Sequence, residues 1–246
     1  MSDQREDLNE AHMSFTEHLG ELRTRLINSL WFLVVFTGIA YYFSLDIFNF
    51  VRKPVSKYLT SGGLVYTGPL DKFMAHFKIS IVVGIIISFP FWLYQIWQFI
   101  APGLYKKERK YMFGFITLGS VLFVTGFSFS YFIALPMAFD FLFNFGGDLD
   151  KPMITIDRYL DFFSQFSIMF GVSFELPLII SILSMMGFVS QKFLIEKGRY
   201  AVVILAIMAA IITPPDVMSM TVMLVPLISL YYIGVLLAGI FQKKVD

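Results

Sequence analysis

Six stretches of the chain run for 13 to 29 residues with at most one charged side chain in each. They are Leu26–Leu45, Ile79–Tyr105, Tyr111–Phe139, Phe162–Val189, Tyr200–Ile212 and Val217–Phe241. A helix needs about 20 mostly apolar residues to cross the roughly 30 Å of hydrocarbon in a bilayer, so five of the six are long enough unaided. Tyr200–Ile212 supplies only about 20 Å of helix before "TPPD", where Pro214 and Pro215 force a stop. It reads as a short crossing helix with its turn sunk toward the membrane, which requires sheltering neighbours or a locally thinned bilayer. The expected fold is therefore all-α, with spans near 23–45, 73–100, 110–137, 159–187, 199–212 and 217–240.

Composition supports a membrane setting. Hydrophobic residues make up 57% of the 246 and charged residues only 15%, against roughly 25% charged in a soluble domain. The 29 phenylalanines and 12 tyrosines suit lipid-facing surfaces and interfacial belts. A net charge of +1 offers no electrostatic case for a nucleic-acid partner. Without cysteine there is no disulfide or thiol chemistry, and His12, His18 and His76 are too scattered to suggest a metal centre.

An even number of spans puts both termini on one side. The termini and the two loops on their side carry twelve cations, among them Arg23, Arg25, Lys106, Lys107, Arg109 and Lys110. The opposite side carries seven, so the positive-inside bias predicts cytoplasmic termini. Residues 15–241 read as one membrane domain between a polar leader, 1–14, and a cytoplasmic tail, 242–246. "MSFTEHL" reads as a natural start, so the residues before Met13 are left out of the functional argument. The long outer connections, Asp46–Asp71 and Ala138–Asp157, hold glycines and prolines and read as loops.

Three acids stand out. Glu175 is the one charge between Phe162 and Gln191, and a charge centred in a span costs of order 2.5–3.5 kcal/mol on insertion scales. Such a residue is either an inward-facing functional group or a structural acid bonded to a neighbouring helix, helped by the bend at Pro177; the functional reading is favoured, with Gln95 as a candidate partner. Glu21 lies in an interfacial helix whose apolar stripe is Phe15, Leu19, Leu22 and Leu26, and it can pair with Arg25 at i,i+4. Glu108 stands among four cations in "YKKERK", where composition alone reads it as a solvated acid. No catalytic motif and no phosphate-cradling glycine loop occurs, so no enzyme is expected, and no cofactor. The alternative is a proton-coupled secondary transporter using Glu175, although neither internal repeats nor paired broken helices support it.

Four stretches, in order, resemble the TatC family, the large polytopic subunit of the twin-arginine protein translocase: "FTEHLGELRTRL", "YQIWQFIAPGLYKKER", "FGVSFELP" and "ITPPD". The resemblance runs from about Phe15 to Phe241. It implies a concave six-helix bundle in the cytoplasmic (inner) membrane that recognises twin-arginine signal peptides of folded cargo. It also implies assembly with small single-span subunits into homo- and hetero-oligomers. The residues it marks for signal-peptide contact are Glu21, Arg23, Phe99 and Glu108, and it further marks Pro54, Gln95, Glu175 and Asp216, the last following Pro214 and Pro215. Bidentate carboxylate contacts are what a guanidinium favours, which makes the acids the sensible anchors. The loop around Glu108 is net +3, so its lysines would have to face lipid phosphates for that site to work.

Overall fold

The computed structural model describes residues 15–59, 63–101, 112–144, 153–213 and 217–241. Helix α1 spans Phe15–Tyr42, and two of its hydroxyls turn back on the helix: Thr24 bonds the Gly20 carbonyl and Ser29 that of Arg25. Polar groups satisfied in this way can enter an apolar surface at little cost. After Tyr42 come two short helices, α2 at Ser44–Val51 and α3 at Lys53–Ser56, the latter with Pro54 in its first turn. Helix α4, Asp71–Ile100, begins where the Asp71 carboxylate accepts from the Thr67 and Gly68 amides at 2.7 and 2.8 Å.

The third span is continuous from Met112 to Asn144, as α5 (Met112–Phe129), a π-helical turn (Ser130–Ala134) and α6 (Leu135–Asn144). Helix α7, Ile156–Phe174, is capped by the Thr155 hydroxyl and breaks at Glu175. Pro177 then opens α8, Leu176–Met185, because its ring removes an amide donor and crowds the preceding turn. A single turn and a half, α9 (Gln191–Glu196), leads to α10 (Gly198–Ile212) and α11 (Val217–Phe241).

Five helices are long and apolar enough to cross a bilayer, and α10 is the shorter sixth. The architecture is thus the expected all-α polytopic one. Two expectations need correction. The connection read as a loop from Asp46 contains α2 and α3, and the one read from Ala138 is helical to Asn144. In both, apolar residues recur at helical spacing and are packed: Val51, Val55, Ala138 and Phe139 are all buried.

Arg25 of α1 meets the last turns of α4, and Lys78 near the start of α4 meets the start of α7. The end of the bundle where α1 begins is called here the near end, and the other the far end. The core lies between α5, α7, α8 and α11, centred on Phe163, Phe166 and Phe170. Close approach depends on glycine. A Cβ at Gly84 would lie 2.4 Å from the Thr37 hydroxyl and 2.9 Å from its amide nitrogen, so α1 and α4 cross nearly backbone to backbone. Beneath α2, the second and third spans leave an apolar hollow of ≈ 300 Å³ lined by Ile47, Phe50, Ile79, Val82, Ile86 and Phe127.

The far end is closed by hydrogen bonds. The Tyr131 hydroxyl donates to the Phe50 carbonyl at 2.8 Å and that of Tyr159 to the Val51 carbonyl, so two helices hold the otherwise orphaned carbonyls that end α2. Val65 pairs with the strand-like approach to α7 through Ile154 and Ile156 at 2.9 and 2.8 Å. Asp140 accepts from Lys57 at 2.9 Å and from Tyr58. Tyr58 and Asp140 together hold the Lys57 ammonium above the ordinary lysine range.

Candidate functional site

Glu21 sits two turns into α1, on the side that faces the last turns of α4. Its Oε1 accepts from Arg25 Nη2 at 3.1 Å, the i,i+4 pair expected from the sequence. Its Oε2 is buried and has no hydrogen-bond partner among the described residues. Nη1 of the same arginine donates to Gln98, and lies 3.4 Å from the Gln95 oxygen. Gln98 in turn donates to the Tyr94 hydroxyl. Gln95 and Gln98 are three residues apart on α4, which places both on the face that meets α1. One half-buried acid, one arginine and two amides therefore form a polar cluster where the first two spans meet at the near end.

Arg23 is exposed on the outer side of α1, and Phe99 is half-buried on α4 beside this cluster. Glu108 lies outside the described residues, as do Pro214, Pro215 and Asp216. Pro54 is half-buried in α3 at the far end, distant from the near-end cluster along α4. The structure thus brings together Glu21 and Gln95 through Arg25, with Phe99 one residue beyond Gln98 on α4, while Pro54 stands apart as part of the far-end helices.

Glu175 is a separate feature. It is 5% exposed, at the break between α7 and α8. Its Oε2 lies 3.1 Å from the point a Cβ would occupy on Gly119 of α5; Leu93 of α4 and Leu178 of α8 crowd the same point. Gly119 leaves the space that the carboxyl fills. Neither carboxyl oxygen has a hydrogen-bond partner among the described residues. The suggested Gln95 partnership is not formed: Gln95 faces Arg25 of α1 instead. Nor does the carboxyl look out of the bundle: Leu93, Gly119 and Leu178 enclose it.

Arg25 and Gln98 were missed as parts of a site. The spacing of Gln95 and Gln98 in "YQIWQF" was the available signal, since two amides on one face of an apolar helix require polar company. Among the described residues, no group of three or more His, Asp or Glu could hold a metal ion.

Apolar helices of membrane-spanning length, with polar clusters at both ends and one buried acid within, define a polytopic membrane protein. The family model described as Sec-independent protein translocase protein (TatC) matches residues 17–226. A TatC protein of Desulforapulum autotrophicum is 39% identical over 235 residues, covering 94% of this chain and 86% of the relative. That of Escherichia coli is 37% identical, covering 92% and 88%. A crystal structure described as the twin-arginine translocase receptor TatC superposes with a TM-score of 0.80 at 35% identity, covering 92% of this chain and 100% of that one. The chain belongs to the TatC family. It is a multi-span membrane component of a Sec-independent protein translocase, not an enzyme.

Proposed function

We propose that this chain is the signal-peptide receptor and core scaffold of a twin-arginine translocase in the inner membrane, with Glu21 as an anchor for a signal-peptide arginine. The observation that carries this is the Glu21 carboxylate: half-buried at the near end, with one buried oxygen that has no partner among the described residues. A carboxylate offers about four acceptor positions and prefers a forked guanidinium to a point charge. The description of the solved relative as a twin-arginine translocase receptor supports the same reading. Arg23 and Phe99 are neighbours in sequence of the cluster's residues on α1 and α4, and Glu108 is the further acid that the resemblance marks for peptide contact.

By the sequence count, twelve cations belong to the side of the termini and seven to the other, which favours cytoplasmic termini and so puts the site on the side where folded cargo waits. The scaffold role rests on α1, whose Leu26, Leu30, Trp31 and Val34 are exposed along one flank. That flank suits a small single-span Tat subunit as well as lipid. Glu175 would act on such a partner only if the helices around it moved apart, since it is almost fully buried.

The test is binding of a twin-arginine signal peptide, beside its twin-lysine variant, to the full chain in detergent. Preference for arginine is expected, with Glu21→Gln and Glu108→Gln each weakening the arginine peptide about tenfold or more, the scale of a charge-assisted hydrogen bond. Unchanged affinity in both variants would end the assignment.

A further inference from the structure

We propose that Arg25 is an internal ligand for Glu21: it occupies the carboxylate in the resting chain and has to release it before a peptide guanidinium can bind there. This inference rests on the receptor reading above. Three observations carry it. Arg25 presents to Glu21 the same chemical group that a twin-arginine peptide would bring, at 3.1 Å and through Nη2 alone. The contact is one-pronged, and among the described residues it leaves Oε2 buried without a partner, so Glu21 holds less than its full complement of donors there. The other arm of the guanidinium is held independently, by Gln98 and with Gln95 at 3.4 Å.

The separation of the two arms matters. Nη2 can swing away from Glu21 while Nη1 keeps its amide acceptors, so release does not strand a charge in the bilayer. An arriving guanidinium can then take Oε1 and Oε2 together, in the forked geometry that the resting contact lacks. A lysine ammonium would find the same opened carboxylate but could fill only one position well.

Internal occupancy lowers the apparent affinity of every competitor by the fraction of time the site is free. It therefore leaves the ratio of arginine to lysine binding unchanged and scales both affinities together. This separates the proposal from a positioning role, in which losing Arg25 would misplace Glu21, weaken binding and erode the preference. It also separates it from simple charge repulsion, which salt screens over about 10 Å at 0.1 M.

The experiment measures equilibrium binding of twin-arginine and twin-lysine signal peptides to the full chain in detergent, at low and high salt. The chains compared are wild type, Arg25→Gln and Arg25→Lys. Arg25→Gln is expected to tighten both peptides by roughly three- to tenfold, the range between an exposed ion pair and a charged hydrogen bond. The arginine-to-lysine ratio should stay at its wild-type value. Arg25→Lys keeps the charge but cannot span Glu21, Gln95 and Gln98 at once, so it should show a smaller gain of the same kind that survives high salt. Weaker or unchanged binding in the variants, or a gain confined to Arg25→Gln that salt abolishes, overturns the proposal while leaving the receptor reading intact. Wild-type chain that binds neither peptide overturns both. If Arg25→Gln does not fold, Arg25→Lys decides by the same criteria.

Discussion

The two ends of this bundle treat their polar groups in opposite ways. At the far end, the carbonyls that terminate α2 are taken up by Tyr131 and Tyr159, Lys78 sits at 2.5 and 2.7 Å from Asp157 and Asp161, and Val65 is bonded into the approach to α7. At the near end, a buried oxygen of Glu21 has no partner among the described residues, and one arginine divides itself among three acceptors. Satisfied polar groups rigidify, whereas an unsatisfied buried one costs free energy that a ligand can recover. Among the described residues the far end pairs most of its polar groups within the chain, whereas the near end leaves a carboxylate oxygen open, which on the proposed function is where a ligand binds.

The sides of the bundle differ in the same sense. Only 11% of the apolar window of α1 is buried inside the protein, against 50% for the span made of α7 and α8. Helix α1 packs mainly on α4, and that single contact also brings Glu21 and Arg25 to Gln95 and Gln98. Breaking it should have the largest effect. Gly84→Val places carbon atoms where Thr37 backbone already lies, so α1 must move off α4. Overpacking of this kind costs about 1–3 kcal/mol or more, and here it should also abolish arginine-peptide binding. Thermal unfolding and peptide binding on the same preparation would check both effects.

A smaller and purely structural loss should follow at the other end. Tyr159→Phe removes the donor to the buried Val51 carbonyl and should cost about 1–3 kcal/mol of stability, with peptide affinity unchanged. A fall in affinity would mean that the two ends are coupled and the contrast between them is false. The smallest effect belongs to the far-end ion pairs. Lys78→Met deletes two contacts to half-exposed carboxylates and should lower stability only slightly, by an amount that vanishes at high salt. A large, salt-independent loss would show that these pairs do more than surface pairs usually do.

The spans were legible because a charge-free run of bilayer length has few other uses, and Gly198–Ile212 ends two residues before Pro214, where the prolines stop it. Helix α2 was harder to see. Asp46 and Arg52 interrupt the apolar run around "SLDIFNFV", and loop signals follow at once, although Ile47, Phe48, Phe50 and Val51 carry the helical spacing. The π turn at Ser130–Ala134 lies just before Pro136, which has no amide to donate to the Phe132 carbonyl four residues back, so the sequence did carry a local signal for it. In the fold the turn holds Ser130 at 3.2 Å from Ser167 and aims Tyr131 at Phe50.

The site was legible in part for the same reasons. Glu21–Arg25 is a local pair, readable from the spacing of a single helix. Arg25 to Gln98 joins residues 73 apart, and only the crossing of α1 with α4 brings them together. Glu175 announced itself by charge, but its enclosure by Leu93, Gly119 and Leu178 depends on three helices at once.

The central claim is that binding belongs to the near end. Its most direct test is photocrosslinking of a twin-arginine peptide to full chains carrying a photoreactive side chain at position 23 or 99, at the near end, or at exposed position 153, at the far end. The account predicts adducts from 23 and 99 that excess unlabelled twin-arginine peptide suppresses and excess twin-lysine peptide does not, with none from 153. Adducts from 153, or equal suppression by both competitors, would contradict it.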